Sequence, residues 1–513
     1  MINVNEFGAA KIGNLNNTTI MLLDNTDPQK KVSYFSSLPS VTDKLVLNDD
    51  QRKAVNAISE WLESGSEPYF VLSGAGGTGK TTVVSALIEK YSADNDVYLT
   101  GTTHKCVEVL ISRTPMQYYV EAMTIHKFLG LRPEPDAYGK LHLESALKRS
   151  FECNLAIVDE ASMIGAGIWE WLDVEASPYI DTPGFSDIKW LFIGDSGQIN
   201  PVNEAESIVF EKDLPGYCLS KVVRYGGDLL NFAAKIRANG TSVISEWGKK
   251  YNSFSLFREE FLQDAFINPP GDCVYLAWTN QAVEAMREEV RLHLYDATDV
   301  IPFVPGEILR ANSDVYTSVY QEDCWGFINR KKPLPIPKNF CLVGRNSNIF
   351  KVLSAEEVAP DKFPYWTYRL RLENSSLLDR GISYAIHPIS VPHLSKDLEL
   401  ISGLAVEWKQ AHKKKNELEM EVVRRKLLDL GFKGVGGGIV KSAWEYYYSL
   451  RRLFPSFSSP YVLTVHKSQG SDYQSVWINC PDILRNKNAL ERDRLLYTAV
   501  TRSRKNLSLY MTK

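Results

Sequence analysis

Between an apolar run, Tyr69 to Leu72, and a helical run, Thr82 to Tyr91, the chain carries Gly74-Ala75-Gly76-Gly77-Thr78-Gly79-Lys80-Thr81. The segment fits the phosphate-loop pattern GxxxxGK[ST], and a strand leading in with a helix leading out separates it from a chance glycine-rich turn. Glycines let backbone N–H groups converge on phosphate oxygens, and the helix that opens at Thr82 directs its positive end at them. Lys80 places a cation on the terminal phosphates, and the Thr81 hydroxyl suits magnesium. ATP and Mg2+ are the expected cofactors, and the expected fold class is α/β.

Short apolar runs recur at Val97 to Thr100, Leu155 to Val158 and Trp190 to Ile193, alternating with helical patterns, as buried parallel strands do. The run Leu155 to Val158 ends in Asp159-Glu160, at the strand end where ligands gather in open α/β sheets. An acidic pair after a strand is ordinarily an exposed turn, but the upstream phosphate loop reverses that expectation. Asp159 is then a magnesium-shell ligand, and Glu160 takes a proton from the attacking water or orients it.

With 513 residues the chain exceeds one hydrophobic core, and 44% hydrophobic with 23% charged residues lies in the globular range. Lys plus Arg (58) nearly balances Asp plus Glu (62), so any nucleic-acid track must come from local clustering. The seven cysteines form no CxxC pair, so neither a zinc-ribbon spacing nor a disulfide framework can be read from them, which fits a reducing cytoplasm. Met1 to Ile20 is rich in Asn and has no charged start with an apolar core, so neither export nor membrane anchoring is expected.

A second strand series begins at Val274 to Ala277 and resumes only at Tyr461 to Val465 and Val476 to Asn479, so the gap holds an insertion. Within it, Ile301 to Asn374 has frequent prolines and strand-like runs at Phe340 to Val343, Ile349 to Leu353 and Trp366 to Leu372, the composition of a small β-barrel. From about Lys396 to Leu430 the pattern is helical and charged, stops at Gly431, and resumes at Trp444 after Gly436-Gly437-Gly438, predicting an antiparallel helical projection.

After Trp190 to Ile193 comes Gly194-Asp195-Ser196-Gly197-Gln198-Ile199-Asn200-Pro201-Val202, in which Gln198 can reach the γ-phosphate. This resembles the third motif of superfamily 1 helicases, GDxxQLPPV, with Ile199 and Asn200 replacing its Leu and first Pro. Further segments follow in the family's order: Thr102-Thr103-His104-Lys105, Thr124-Ile125-His126-Lys127, Val222-Val223-Arg224, Leu463 to Gly470 and Tyr497 to Arg502. The chain is similar to the 5′-to-3′ branch of RecD-like and phage Dda-like enzymes, superfamily 1B, from about Leu47 to the C-terminus. Lys396 to Pro455 is matched only by a loose aromatic pattern.

That resemblance implies two RecA-like P-loop NTPase lobes with a β-hairpin pin in the first and an inserted SH3-like β-barrel plus helical projection in the second. The expected boundaries are 1–40 for an N-terminal extension, 41–220 for lobe one with the pin at about 131–150, 221–298 and 460–513 for lobe two, and 299–459 for the insertion. It implies that Gln51 reads adenine through an amide that donates and accepts together. Arg224 and Arg502 resemble the arginines that reach the γ-phosphate from the second lobe, where such charge neutralisation is worth about 10³–10⁵ in rate.

The resemblance also implies a track for single-stranded DNA, with Thr103, His104, Thr124, His126 and Lys127 in lobe one and Trp278, Thr279, Asn280, Thr464, His466 and Lys467 in lobe two. Each such Thr or His taken alone is as readily a satisfied structural residue. Arg132 to Glu144 reads as a hairpin, placed where related helicases carry a strand-separating pin, with Tyr138 available to stack on a base at fork DNA. The expected protein is a monomeric DNA-stimulated ATPase and helicase of replication or recombination, working beside single-strand-binding or replisome proteins. Two rivals are an RNA translocase of the same superfamily and a nucleotide-gated DNA-binding remodeller that does not unwind.

Overall fold

The computed structural model describes residues 46–512 apart from 65–66, 93–95, 115–119, 136–140, 146–150, 202–203, 205, 224–225, 298–301, 319–339, 359–366, 375–379, 387–390, 433 and 435–437. The first lobe runs α1 (Asp49–Ser64), β1 (Tyr69–Gly74), α2 (Lys80–Tyr91), β2 (Val97–Gly101), α3 (His104–Arg113), β3 (Glu121–Thr124) and α4 (Ile125–Phe128). It continues through β4 (Leu131–Pro135), β5 (Leu141–Ser145), β6 (Leu155–Asp159), α5 (Ala166–Leu172), β7 (Lys189–Gly194), α6 (Ile208–Glu211) and β8 (Gly216–Leu219). Six strands form one parallel sheet in the order β3-β2-β6-β7-β1-β8. Parallel pairing forces each crossover through a helix, so the sheet is covered on both faces. Along β6, Ala156 and Val158 join one core cluster while Leu155 and Ile157 join the other, the period of two a doubly covered strand requires.

The second lobe opens with α7 (Gly227–Asn239), β9 (Lys250–Tyr251), α8 (Phe254–Ile267), β10 (Cys273–Ala277) and α9 (Asn280–Tyr295). Next come β11 (Ile308–Ala311), β12 (Val315–Ser318), β13 (Phe340–Gly344), β14 (Ile349–Val358), β15 (Thr367–Asn374) and β16 (Arg380–Ile386). Three helices, α10 (Val391–Lys413), α11 (Glu417–Asp429) and α12 (Gly438–Leu453), and the short β17 (Phe457–Ser458) follow. The chain then returns through β18 (Val462–Thr464), β19 (Tyr473–Asn479), α13 (Cys480–Leu484), α14 (Ala489–Val500) and β20 (Ser503–Tyr510). The order β18-β10-β19-β20-β9 makes a second parallel sheet. Val274 and Leu276 face one of its cores and Tyr275 and Ala277 the other.

Between the two halves of that sheet, the strand-rich segment forms a five-stranded antiparallel sheet, β16-β15-β14-β11-β17, and a separate β12-β13 ladder. β17 pairs with β11 just before the chain re-enters lobe two, so the insertion leaves and returns at one place. Its helices differ from the expected pattern at two points. The charged stretch is two helices broken at Lys415, which lies at φ 53°, and α12 starts at Gly438 rather than Trp444. Ile439, Val440 and Ala443 are buried against Ile401, Leu404 and Leu427, and that packing outweighs the cost of roughly 1 kcal/mol of a helical glycine. Gly431 ends α11 as expected. At φ 89° its N–H reaches Leu428 O (2.8 Å) while Phe432 N–H reaches Leu427 O (3.1 Å), a Schellman closure.

β4 and β5 pair antiparallel from Leu131↔Ser145 to Pro135↔Leu141 as a two-stranded ladder of their own, which tolerates two prolines because its outer edges need no donors. No helix among the described residues is long and apolar enough to cross a membrane.

Candidate functional site

Because β1, β6 and β7 are adjacent and parallel, their C-terminal ends deliver Gly74, Asp159 and Gly194 along one sheet edge. The loop after β1 turns through Gly77 (φ 87°) and Gly79 (φ 84°) before α2 begins at Lys80. A Cβ on Gly79 would also meet Gln51 Nε2 at 2.3 Å, so this position is doubly reserved for glycine. The Lys80 ammonium donates to the carbonyls of Gly74 (2.7 Å) and Ala75 (3.2 Å), across the mouth of the loop. Gln51 sits against the loop, its Nε2 donating to Thr78 O (3.3 Å) and its Oε1 accepting Asn48 N–H (3.1 Å). With Asn48 Oδ1 accepting Gln51 N–H (2.9 Å), this is the reciprocal cap of α1. Both ends of the amide expected to read adenine are thus engaged within the protein.

Lys80, Thr81, Asp159, Glu160, Gln198 and Arg502 line one cleft, closed on the far side by Gly470, Ser471 and Asp472 of lobe two. Glu160 takes the left-handed conformation (φ 54°), which costs a non-glycine residue roughly 1–3 kcal/mol and is found where a site over-determines the backbone. Burial, and after it the Asp159 carboxylate, push the Glu160 carboxyl above its usual range, opposed by Arg502 and Lys80. Asp159 Oδ1 accepts Glu160 N–H (2.8 Å), and the Cys106 thiol, held protonated by burial, lies 3.6 Å from Oδ2. Gln198 is buried with no partner for Oε1 among the described residues, an acceptor directed at the cleft rather than spent on the fold. Arg502, also buried, donates to Thr498 O (3.1 Å) and Ser471 O (3.1 Å), which hold its guanidinium at the cleft wall. Arg224 lies outside the described residues. Its neighbour Val223 donates to Gly77 O (2.8 Å), which brings that segment to the phosphate loop.

Sequence reasoning missed the contacts that join the lobes here. Asp195 is buried beside Arg237 of α7 (3.0 Å) and accepts the Tyr497 hydroxyl of α14 (2.8 Å). Ile199 N–H donates to Thr498 Oγ1 (3.2 Å), and Arg494 lies 3.6 Å from Glu206. Tyr497 lay within a segment already singled out, whereas nothing in the sequence around Arg237 distinguishes it from a surface cation.

The residues expected on the track share one local design. Thr103, Thr124 and Thr279 each accept an N–H three residues on as N-caps of α3, α4 and α9, and Thr464 accepts Lys467 N–H at the turn after β18. All four stand at C-terminal strand ends, two per lobe. Thr279 is the most committed, because its hydroxyl also donates to the buried Asp482 (2.9 Å), which in addition accepts the N–H groups of Trp278 and Thr279 (2.8 Å each). Asn280 is exposed at the start of α9. Burial lowers the pKa of His104, His126 and His466, keeping the imidazoles neutral at pH 7, and lowers that of Lys467, whose Nζ donates to Asn312 (3.3 Å). Lys127 is exposed on α4. Tyr138 lies outside the described residues.

Beyond the lobes, Asn348 of the insertion donates to Glu108 of α3 (2.6 Å) while Arg310 donates to Lys467 O (3.4 Å). The insertion therefore touches both halves of the residue series.

A phosphate loop, a strand-borne acidic pair and a buried Gln in one lobe, facing a buried Arg from another, define a two-lobed P-loop nucleotide hydrolase. The family model described as an AAA domain matches residues 51–204, and the one described as a UvrD-like helicase C-terminal domain matches 460–510. An uncharacterized protein, R530 of Acanthamoeba polyphaga mimivirus, is 23% identical over 90% of this chain and 99% of its own length. The RecBCD enzyme subunit RecD of Buchnera aphidicola (subsp. Schizaphis graminum) is 22% identical over 86% of this chain and 70% of its own. Among solved structures, Bacteroides Pif1 bound to ssDNA aligns with TM-score 0.47 at 14% identity, covering 91% of this chain and 92% of that one. Pif1 of Candida albicans aligns with TM-score 0.44 at 13% identity, covering 91% and 95%. The chain is similar to the ATP-dependent helicases of superfamily 1B.

Proposed function

We propose that the protein moves along single-stranded DNA in the 5′-to-3′ direction, driven by ATP hydrolysis between its lobes, and parts the duplex on the β4–β5 hairpin. The observation that carries this reading is the repeated strand–Thr–turn unit on both lobes, beside a cleft that both lobes complete. Two equivalent grips on either side of a nucleotide site are what a motor needs if closure is to shift one hold relative to the other. Helix-start amides, hydroxyls and neutral imidazoles suit backbone phosphates without reading sequence.

Chemically, Lys80 and the loop amides of Gly74 to Thr82 hold the triphosphate. Thr81 and Asp159 supply hard oxygen donors, a pair that fits a Mg2+ ion otherwise held by water and phosphate; the ion, when bound, neutralises charge on the β- and γ-phosphates. Glu160 accepts the proton of the attacking water and Gln198 orients it. Arg502, with Arg224, neutralises the charge that grows on the leaving phosphate. Gln51 positions the loop and reads adenine once its cap bonds exchange. In this reading the insertion is an SH3-like barrel with a helical projection, Tyr138 stacks at the fork, and a monomer acts in replication or recombination of the phage type.

Partial duplexes with a 5′ or a 3′ single-stranded tail test the proposal in the presence of ATP. Unwinding of the 5′-tailed substrate alone is expected. Unwinding only from a 3′ tail overturns the direction, and ATP turnover stimulated by RNA but not by DNA overturns the substrate.

A further inference from the structure

The Tyr497 hydroxyl is where the two lobes meet the phosphate loop. It donates to Asp195 Oδ2 (2.8 Å) and accepts from Gly76 N–H (3.3 Å) and from Arg237 Nη1 (3.4 Å). A phenol has one proton to give and two lone pairs, so these three contacts use its capacity in full. Arg237 also pairs with Asp195 Oδ1 (3.0 Å), and its guanidinium lies 5.6 Å from the centre of the Tyr497 ring. Asp195 is 1% exposed and Tyr497 is 2% exposed, so the bond between them is shielded from solvent, while the Arg237 side chain, 34% exposed, reaches the pair from the surface.

Two glycines of lobe one confirm that the approach is built in. A Cβ on Gly197 would lie 3.1 Å from Tyr497 Cε1, and one on Gly76 would lie 3.0 Å from Thr501 Cβ. Neither glycine has a positive φ. What both positions require is room for α14, rather than backbone freedom.

We propose that Tyr497, Asp195 and Arg237 form a positioning relay that ties Gly76 of the phosphate loop to lobe two, so that hydrolysis proceeds only while the lobes are docked. Gly76 N–H belongs to a loop whose amides converge on phosphate oxygens, and its direction is set by a hydroxyl on the opposite lobe. Arg237 fixes that hydroxyl through Asp195. Movement of α7 and α14 away from lobe one on lobe opening breaks two hydrogen bonds at one atom, those to Asp195 and Gly76, together with the Arg237–Asp195 pair, which makes the relay responsive to small displacements. The inference rests on the cleft being the site of ATP hydrolysis.

The test is steady-state ATP turnover of the full chain with and without oligothymidine. Tyr497→Phe keeps the ring and removes the hydroxyl; it is expected to lower the stimulated kcat about ten- to a hundredfold with KM for ATP within about twofold and Tm nearly unchanged. Arg237→Met should match it and Arg237→Lys should recover part of the loss. The double variant Tyr497→Phe/Arg237→Met should be no worse than the poorer single, because residues acting as one unit are not additive. Lys235→Ala, on the same helix as Arg237 and in an exposed pair with Glu246, should leave kcat at the parental value. A Tyr497→Phe enzyme with parental kcat, or single effects that multiply, overturns the relay. A parent that does not turn over ATP overturns the underlying reading instead.

Discussion

Replacing Glu307 by Gln should loosen the joint between lobe two and the insertion without touching the cleft. Glu307 lies just before β11 and accepts Arg291 of α9 through both oxygens, at 2.6 and 3.2 Å, and also Val304 N–H at 3.2 Å. Arg291 further donates to Pro302 O (2.7 Å), and the two side chains are only 4% and 3% exposed. Removing one partner of such a pair leaves an uncompensated buried charge and costs about 3–5 kcal/mol. A cavity of ≈ 180 Å³ adjoins the pair, lined in part by Arg287, Tyr295, Phe303 and Phe457, and has room for water to solvate the orphaned guanidinium. The expected cost is therefore at the lower end, about 3 kcal/mol, or roughly a hundredfold in the local opening constant. Amide hydrogen exchange is the suitable assay, since a chain of several units does not unfold in two states. Exchange at Ile308–Ala311 and along β14 should accelerate by that factor while β6 and β7 stay protected. The double change Arg291→Met/Glu307→Leu removes both charges and should restore most of the protection. Acceleration below about threefold, or a double variant as labile as the single, refutes the reasoning.

Other outcomes follow from the cleft and its surroundings. Lys80→Ala should abolish ATP turnover while circular dichroism stays parental, and Glu160→Gln should retain bound ATP without hydrolysing it in a filter-binding assay; normal turnover in either removes the assigned role. Deleting Pro135 to Lys140 should eliminate strand separation and preserve DNA-stimulated turnover, whereas joint loss or joint retention argues against the hairpin as the pin. The half-buried histidines His104, His126 and His466 have folded pKa values below the ordinary 6.5. The unfolded chain therefore takes up protons first as pH falls, so their contribution is fully present above pH 6.5 and is lost progressively below it. Tm should fall between pH 7 and pH 5.5, and His126→Gln should flatten that slope.

What could be read before folding depended on how local the cause was. β6 and β7 are continuous apolar runs because both faces are covered, so burial itself writes them into the chain. The edge strands β3, β8 and β9 carry no such signature. Gly216–Leu219 includes exposed residues and Lys250–Tyr251 is two residues long, and each is a strand only because a finished neighbour offers it a ladder. Lys80, Asp159 and Glu160 were legible as neighbours in one cleft for the same reason as the core strands, since each follows or ends a buried strand and the parallel sheet aligns those ends. Gln51, Thr103 and Thr279 were legible as positions and not as roles: the sequence pattern is the same whether the polar group serves a ligand or caps a helix, and here it caps. Arg237 had no local signature whatever, because its partner is 42 residues away in the other lobe and is defined only when the sheets face each other. The contacts that join the lobes are those between surfaces, and surface complementarity has no period. If such contacts rather than the phosphate loop set the rate, variants that alter coupling should arise on α7 and α14 outside the recognised motifs, while changes within the loop should remove turnover outright.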